Sequence, residues 1–274
     1  MECRLLNTGF NDPFTNMAID EALVHYCNMP TLRFYSWKPA AVSLGYNQKV
    51  SDINISFCKK SKIPIVRRIT GGKAVYHDKE LTYSFILPKH HPLLKKSIVD
   101  SYKIIAEALL LGLKKAKIKA ALTPIREKTP TTICFESANW YEITVGNRKL
   151  VGSAQRRVDG RLLQHGSILL DFDYRKNARI FSFSPNQKFI EKKLLKKITS
   201  LANVKKSIIT KKTNNNNKKI QSWDKSYLEH CIKNGFAGYF STKMVPDMLT
   251  VQEKKRADEL RLKKYSQESW NGMI

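Results

Sequence analysis

Two dipeptides constrain this chain more than any others: Gly146-Asn147 and Asp159-Gly160. The first stands between "YEITV" (Tyr141 to Val145) and "RKLVGSAQRR" (residues 148–157), two runs rich in strand formers. Both dipeptides belong to the class that closes a two-residue hairpin, where neighbouring residues must take positive φ. Residues 133–170 are therefore predicted to form an antiparallel meander, with Lys149 at the start of a strand. Other segments have a helical period instead. Ser97 to Ala116 carries Ile98, Tyr102, Ile105, Leu109 and Leu113 on one face, and Asn16 to Asn28 carries Ile19, Ala22, Leu23 and Tyr26. Strands are also predicted in "CRLLN", "TLRFYSW", "AAVSLGY" and on both sides of Gly71-Gly72, and Asp52 to Ser61 reads as a helix. "LTYSFIL" (Leu81 to Leu87) alternates as a half-buried strand does. Strands mixed with helices, without a regular βαβ alternation, give an α+β fold.

The chain has 274 residues, enough for one domain or a large lobe with a small one. Its character changes after Ser184. Lys188 to Lys219 holds eleven lysines against one acid, Glu191, and contains the low-complexity run "KKTNNNNKK". Beyond it, Trp223 to Asn234 and Thr250 to Tyr265 read as helices, the second opening on a capping box from Thr250 to Glu253. The organisation expected is a catalytic core over residues 1–184, then residues 185–274 as a lysine-rich segment, a flexible loop and C-terminal helices packing on that core.

No apolar run approaches the ~18 residues of a membrane span, and the N-terminus lacks the order of a secretory signal, so a cytoplasmic enzyme is expected. The five cysteines, Cys3, Cys27, Cys58, Cys134 and Cys231, include no CxxC, which favours reduced thiols over disulfides or zinc. Cys27 and Cys58 fit the role of small buried hydrophobes. A net charge of +26 calls for an acidic partner or a lysine-rich solvated surface. It also admits a basic nucleic-acid-binding protein, a class that the catalytic pattern below disfavours; nucleic acid is not expected as a partner.

That pattern has three parts. Arg67 and Arg68 precede Gly71-Gly72, followed by Lys73 and "AVYHD" with His77. Arginines and exposed backbone N–H groups suit an oxyanion or phosphate, and glycines let a substrate approach the backbone. Lys149 opens "KLVGSAQ", next to the small residues Gly152, Ser153 and Ala154. A lysine on a strand edge is ordinarily solvated; here its ammonium could hold an acyl oxygen or lower the pKa of a nearby thiol. Cys134 lies fifteen residues before Lys149, and cysteine is a strong nucleophile when ionised. His165 and Gly166, in "LQHGSILL", are expected to shape a pocket wall.

"NMAIDEAL" (Asn16 to Leu23), "RRITGGKAVYHD", "ELTYS", Cys134 in "ICFESANWYEI", "KLVGSAQ" and "LQHGSILL" together resemble the biotin/lipoate protein ligase superfamily, and within it the cysteine-dependent octanoyl transferases. The resemblance implies a ligase-like catalytic domain with a mixed, largely antiparallel sheet and flanking helices, plus a small helical tail. It also implies Cys134 and Lys149 as catalytic residues. Arg67, Arg68, Gly71, Gly72, His77, Gly152, Ser153, Ala154, His165 and Gly166 would then bind substrate. The implied reaction moves an octanoyl group from acyl carrier protein, through a cysteine thioester, to a lysine of a lipoyl-domain protein such as a glycine cleavage H protein or a dehydrogenase E2 subunit. Neither nucleotide nor metal is needed, because a thioester is exchanged for a more stable amide. A basic residue at position 73 favours this transferase over an ATP-dependent lipoate ligase, which usually has a third glycine there. An amidotransferase between lipoyl-type proteins is the other close alternative.

Overall fold

A computed structural model describes residues 1–124, 141–181, 186–212 and 223–273. Hairpin turns organise its main sheet. Gly146 and Asn147 both have positive φ (56° and 59°), as do Asp159 and Gly160 (48° and 72°). They join β8 (Tyr141–Val145), β9 (Arg148–Val158) and β10 (Arg161–Leu169) as the expected meander from Tyr141 on; its residues 133–140 lie outside the described residues. β10 continues antiparallel onto β6 (Glu80–Leu87), which pairs with β2 (Thr31–Trp37). β1 (Glu2–Asn11) adds parallel to β2, and β7 (Ala121–Pro124) closes the other edge on β8. The eighth strand, β11 (Lys243–Pro246), pairs parallel with β1. A separate three-stranded sheet places β3 (Ala41–Leu44) between β4 (Ile65–Arg67) and β5 (Val75–His77).

Each face of the main sheet is covered. From β2 and β6, Leu32, Phe34, Leu81, Tyr83, Phe85 and Leu87 point towards α3 (Ile98–Lys115) and α7 (Lys225–Tyr239), burying Ile105, Leu109, Ile232 and Phe236 with them. The alternate residues Tyr35, Trp37 and Ile86 face α1 (Pro13–Tyr26) and α8 (Val251–Leu260). Period-2 alternation assigns the two faces. The half-buried reading of "LTYSFIL" is corrected here: Thr82 and Ser84 are buried as well as Leu81 and Tyr83, because α1 and a polar network close over the face that looks solvated in sequence. A third core joins the small sheet to α2 (Ile55–Lys60), α4 (Tyr174–Phe181) and α5 (Gln187–Lys197). After α5 the chain runs into α6 (Leu201–Lys212).

Helix ends follow their caps. Ser97 accepts from the Asp100 N–H at 3.0 Å and opens α3, and both halves of the Thr250–Glu253 capping box are made. The C-terminal residues are tied into the core. Arg67 donates to the carbonyls of Trp270 and Asn271, and Trp270 Nε1 donates to the Arg67 carbonyl. α9 (Glu268–Asn271) is thereby fixed against β4. Among the described residues, no helix is long and apolar enough to cross a membrane.

Candidate active site

A cleft of about 550 Å³, counting its open mouth, lies between the meander and the loop that joins β4 to β5. β9 and β10 form one wall. Ser153 is opposite Gly166 and Gly152 opposite Ser167, and a Cβ on Gly166 would meet the Gly152 carbonyl at 2.4 Å. Glycine there lets the two strands close beneath the cleft. The other wall is Gly72 with Lys73 and Val75. Gly72 has φ +88°, and its carbonyl would lie 1.8 Å from a Cβ on Gly45, so the turn seats directly on β3's end. Met17, Tyr35 and Trp37 supply an apolar floor.

Of the residues singled out in sequence, Arg68, Gly72, His77, Lys149, Gly152, Ser153, Ala154, His165 and Gly166 line this cleft. Arg67 and Gly71 do not. Arg67 is fully buried and donates to the carbonyls of Gly45, Tyr46 and Gln48 besides its C-terminal contacts, which makes it a latch for the loop after β3. Cys134 lies outside the described residues. Cys3, Cys27, Cys58 and Cys231 are all buried and none lines the cleft. Burial pushes the thiols of Cys3 and Cys27 up to about 12 and that of Cys58 to about 11, so these are packing residues, as expected for the latter two.

Lys149 departs from the ordinary strand-edge lysine. It is only 4% exposed, and its Nζ lies 2.7 Å from Glu142 Oε1. The main chain is held too, since the Thr199 N–H donates to the Lys149 carbonyl at 2.9 Å. Between β8 and β9 the register shifts: Ile143 pairs with Val151 but Thr144 pairs with Lys149, leaving Leu150 as an extra residue. Such a bulge redirects a side chain beside a site. Glu142, two residues before Thr144, is placed diagonally to Lys149 on the neighbouring strand.

Two buried relays meet at Arg68, and neither is visible in the sequence. In one, Asp20 accepts from Arg33 at 2.6 Å, Tyr35 at 3.0 Å and His165 Nδ1 at 2.9 Å. Thr70 then donates to His165 Nε2 at 2.7 Å, and Arg68 Nε donates to Thr70 at 3.1 Å. In the other, Glu80 Oε1 accepts from His77 Nδ1 at 2.7 Å, Thr82 at 2.7 Å and Ser167 at 2.6 Å. Ser43 donates to His77 Nε2 at 2.7 Å and accepts from Arg68 Nη1 at 3.1 Å. Because an ionised carboxylate only accepts, each histidine carries its proton on Nδ1 and accepts at Nε2. The sequence neighbour of His77, Asp78, is not its partner; Glu80 is.

Electrostatics fit this assignment. Burial pushes the Asp20 carboxyl up, but the Arg33 charge and the His165 hydrogen bond outweigh it and leave Asp20 below the usual carboxylate range. Glu80 ends low for like reasons, burial being overcome by His77, Ser167 and Thr82. Burial holds His165 below its ordinary value, against the opposing pull of Asp20, which keeps the ring neutral. Arg68 also donates to the carbonyls of Ser43, Gly71 and Lys73. Its donors therefore fix the glycine turn. No group of three His, Cys, Asp or Glu among the described residues could hold a metal ion.

Residues 12–219 match the lipoyl protein ligase A/B catalytic domain. The chain is 38% identical over 276 residues to the octanoyltransferase LipM of Moorella thermoacetica, covering 97% of this chain and 96% of that protein. It is 40% identical over 277 residues to the octanoyltransferase LipM of Clostridioides difficile, covering 98% and 97%. In three dimensions it is similar to a bi-partite lipoate protein ligase from Thermoplasma acidophilum, with a TM-score of 0.78, 25% identity, and 100% and 98% of the two chains covered.

Proposed function

The chain belongs to the lipoyl protein ligase A/B catalytic-domain family, and from that premise we propose that it is an octanoyl transferase of lipoate biosynthesis, working through a cysteine acyl-enzyme. One observation carries the reading: a buried, carboxylate-paired Lys149 borders a cleft walled by small residues and floored by apolar ones. The octanoyl tail lies along Met17, Tyr35 and Trp37, each buried CH₂ contributing about 0.8 kcal/mol. The thioester carbonyl faces Lys149, whose ammonium takes up the negative charge that develops on the acyl oxygen.

Cys134, as thiolate, attacks the octanoyl thioester of a carrier protein, and the carrier thiol leaves. The ε-amine of a lipoyl-domain lysine then attacks the acyl-enzyme. Its C–N bond forms, the C–S bond breaks, and the cysteine thiolate departs. Support for this cysteine comes from the burial of Cys3, Cys27, Cys58 and Cys231 away from the cleft. A lipoyl-domain acceptor is suggested by the similar bi-partite lipoate protein ligase of Thermoplasma acidophilum, which is paired with an E2 lipoyl domain, and carrier protein as donor by the chemistry of the thioester.

Against an acyl-adenylate mechanism stand the two arginines, whose donors are spent on backbone carbonyls and hydroxyls of the protein itself. The test is intact mass after incubation with octanoyl carrier protein and no ATP. One octanoyl mass is expected, labile to hydroxylamine and absent in Cys134→Ser, whereas turnover by Cys134→Ala would refute the mechanism. Replacing the carrier protein with an octanoylated lipoyl-domain protein distinguishes the amidotransferase alternative.

A further inference from the structure

We propose that Trp270 and Asn271, near the end of the chain, are positioning residues for acyl transfer, holding the glycine-turn wall of the cleft in place through Arg67. The rate half of the test below rests on the acyl-enzyme reading given above. Among the described residues, β4 pairs with β3 along one edge only. At Arg67 the other edge is completed by side chains more than two hundred residues away. The Arg67 N–H donates to Asn271 Oδ1 at 2.8 Å, and Trp270 Nε1 donates to the Arg67 carbonyl at 2.9 Å. Two side chains thus stand where a further strand would pair.

The guanidinium of Arg67 then joins two segments. Nε and Nη2 donate to the carbonyls of Trp270 and Asn271, while Nη1 donates to those of Gly45, Tyr46 and Gln48. Arg67 is fully buried, so a lost partner is not replaced by water unless the chain moves. The loop gathered by Nη1 is the seat of the cleft wall. A Cβ on Gly45 would meet the Gly72 carbonyl at 1.8 Å, and the Tyr46 N–H donates to the Thr70 carbonyl at 2.9 Å. Gly72 and Lys73 border the cleft. Contact is therefore continuous from α9 to Arg67, from Arg67 to the loop at residues 45–48, and from that loop to the turn.

α9 has its own anchors. Asn271 Nδ2 donates to the Tyr265 carbonyl at 2.7 Å, and Lys264, paired with Glu21 at 2.8 Å, lies 4.1 Å from the centroid of the Trp270 ring. The last residues of a domain fray unless tied down, and here the ties converge on the neighbour of Arg68, which lines the cleft. Drift of about 1 Å in such a wall misaligns acyl carbon and nucleophile and slows reaction on the order of a hundredfold.

Asn271→Ala removes the acceptor of the Arg67 N–H. Trp270→Phe removes the donor to the Arg67 carbonyl and keeps a ring beside Tyr46 and Tyr265, whose centroids lie 5.8 and 6.1 Å from that of Trp270. With excess octanoyl carrier protein, Asn271→Ala should reach the wild-type end point of octanoyl mass gained, at a rate at least about tenfold lower, with the half-saturating donor concentration changed less than about threefold. Trp270→Phe should show the same pattern to a smaller degree, and it carries the test by itself if Asn271→Ala does not fold. Hydrogen exchange read by mass spectrometry should be faster at residues 69–75 in both variants, while β9 and β10 keep wild-type protection. The proposal is overturned by a normal acylation rate in both variants, by a lowered end point reached at the normal rate, which marks a loss of folded enzyme only, or by unaltered exchange at residues 69–75. A wild-type enzyme that never gains the octanoyl mass would overturn the acyl-enzyme reading instead, and the exchange measurement, which needs no substrate, would still decide whether α9 holds the turn.

Discussion

Replacing Asp20 with Asn removes the charge at the centre of the first relay and leaves its shape. Arg33 is fully buried, and its Nη1 lies 2.6 Å from Asp20 Oδ1. The other carboxylate oxygen accepts from both Tyr35 and His165. An Asn oxygen can serve one side only, so its NH₂ must confront either Arg33 or the pair of donors opposite. Breaking a buried ion pair from one side costs about 3–5 kcal/mol, and the amide's remaining acceptor puts this variant near the lower end. For a chain of this size that lowers Tm by roughly 6–12 °C. Urea and thermal unfolding of Asp20→Asn, Arg33→Met and the double variant measure the coupling. The double variant should lose less than the sum of the singles, because it leaves no uncompensated buried charge. A loss below about 1 kcal/mol in Asp20→Asn, or strict additivity in the double variant, would refute the reasoning.

pH supplies an independent check. His165 is held below its ordinary value in the folded protein, so as pH falls below about 6.5 the unfolded chain binds a proton the native state refuses, and stability declines. Asp20 and Glu80 have depressed folded values, so their contribution is present above about pH 4 and is lost as pH falls through those values. Urea midpoints from pH 8 to pH 3 should show both declines, and His165→Gln should shrink the upper one without moving the lower, leaving the part due to His91, which burial also holds below its ordinary value; an unchanged upper decline would contradict the assignment. At the cleft rim, Gly45→Ala should push the Gly72 carbonyl from its seat, since the added carbon would lie 1.8 Å from it. Acyl-enzyme formation should fall at least tenfold in this variant, and near-normal acylation would show that the turn can move freely.

What the sequence discloses is mostly local. Hairpin dipeptides and the Thr250–Glu253 box each act within four residues, and each forms where expected. β11 was missed for the opposite reason: "KMVP" is four residues long and gains its strand only by pairing with β1, more than two hundred residues away in the chain. Arg67 and Arg68 look equivalent in sequence, yet consecutive residues leave an extended chain in opposite directions. One is spent on the C-terminal segment and the other on the glycine turn. Asp20 reads as an ordinary helix acid, and nothing near it in sequence announces Arg33 or His165 as partners.

Lys149 joins these two kinds of information. Its motif is local and readable, while its burial depends on a bulge at Leu150, on Thr199 from beyond α5, and on Glu142 across the strand pair. A solvated lysine needs no counter-charge, because water stabilises the ammonium. Once the strand is covered, an unpaired ammonium would cost several kcal/mol of lost hydration, so the fold that buries Lys149 must also bring it an acid. The motif thus marks the lysine, while the acid it needs comes from the neighbouring strand through a bulge that no local pattern announces, which is why the sequence places Lys149 at a strand edge without disclosing that it is buried and paired.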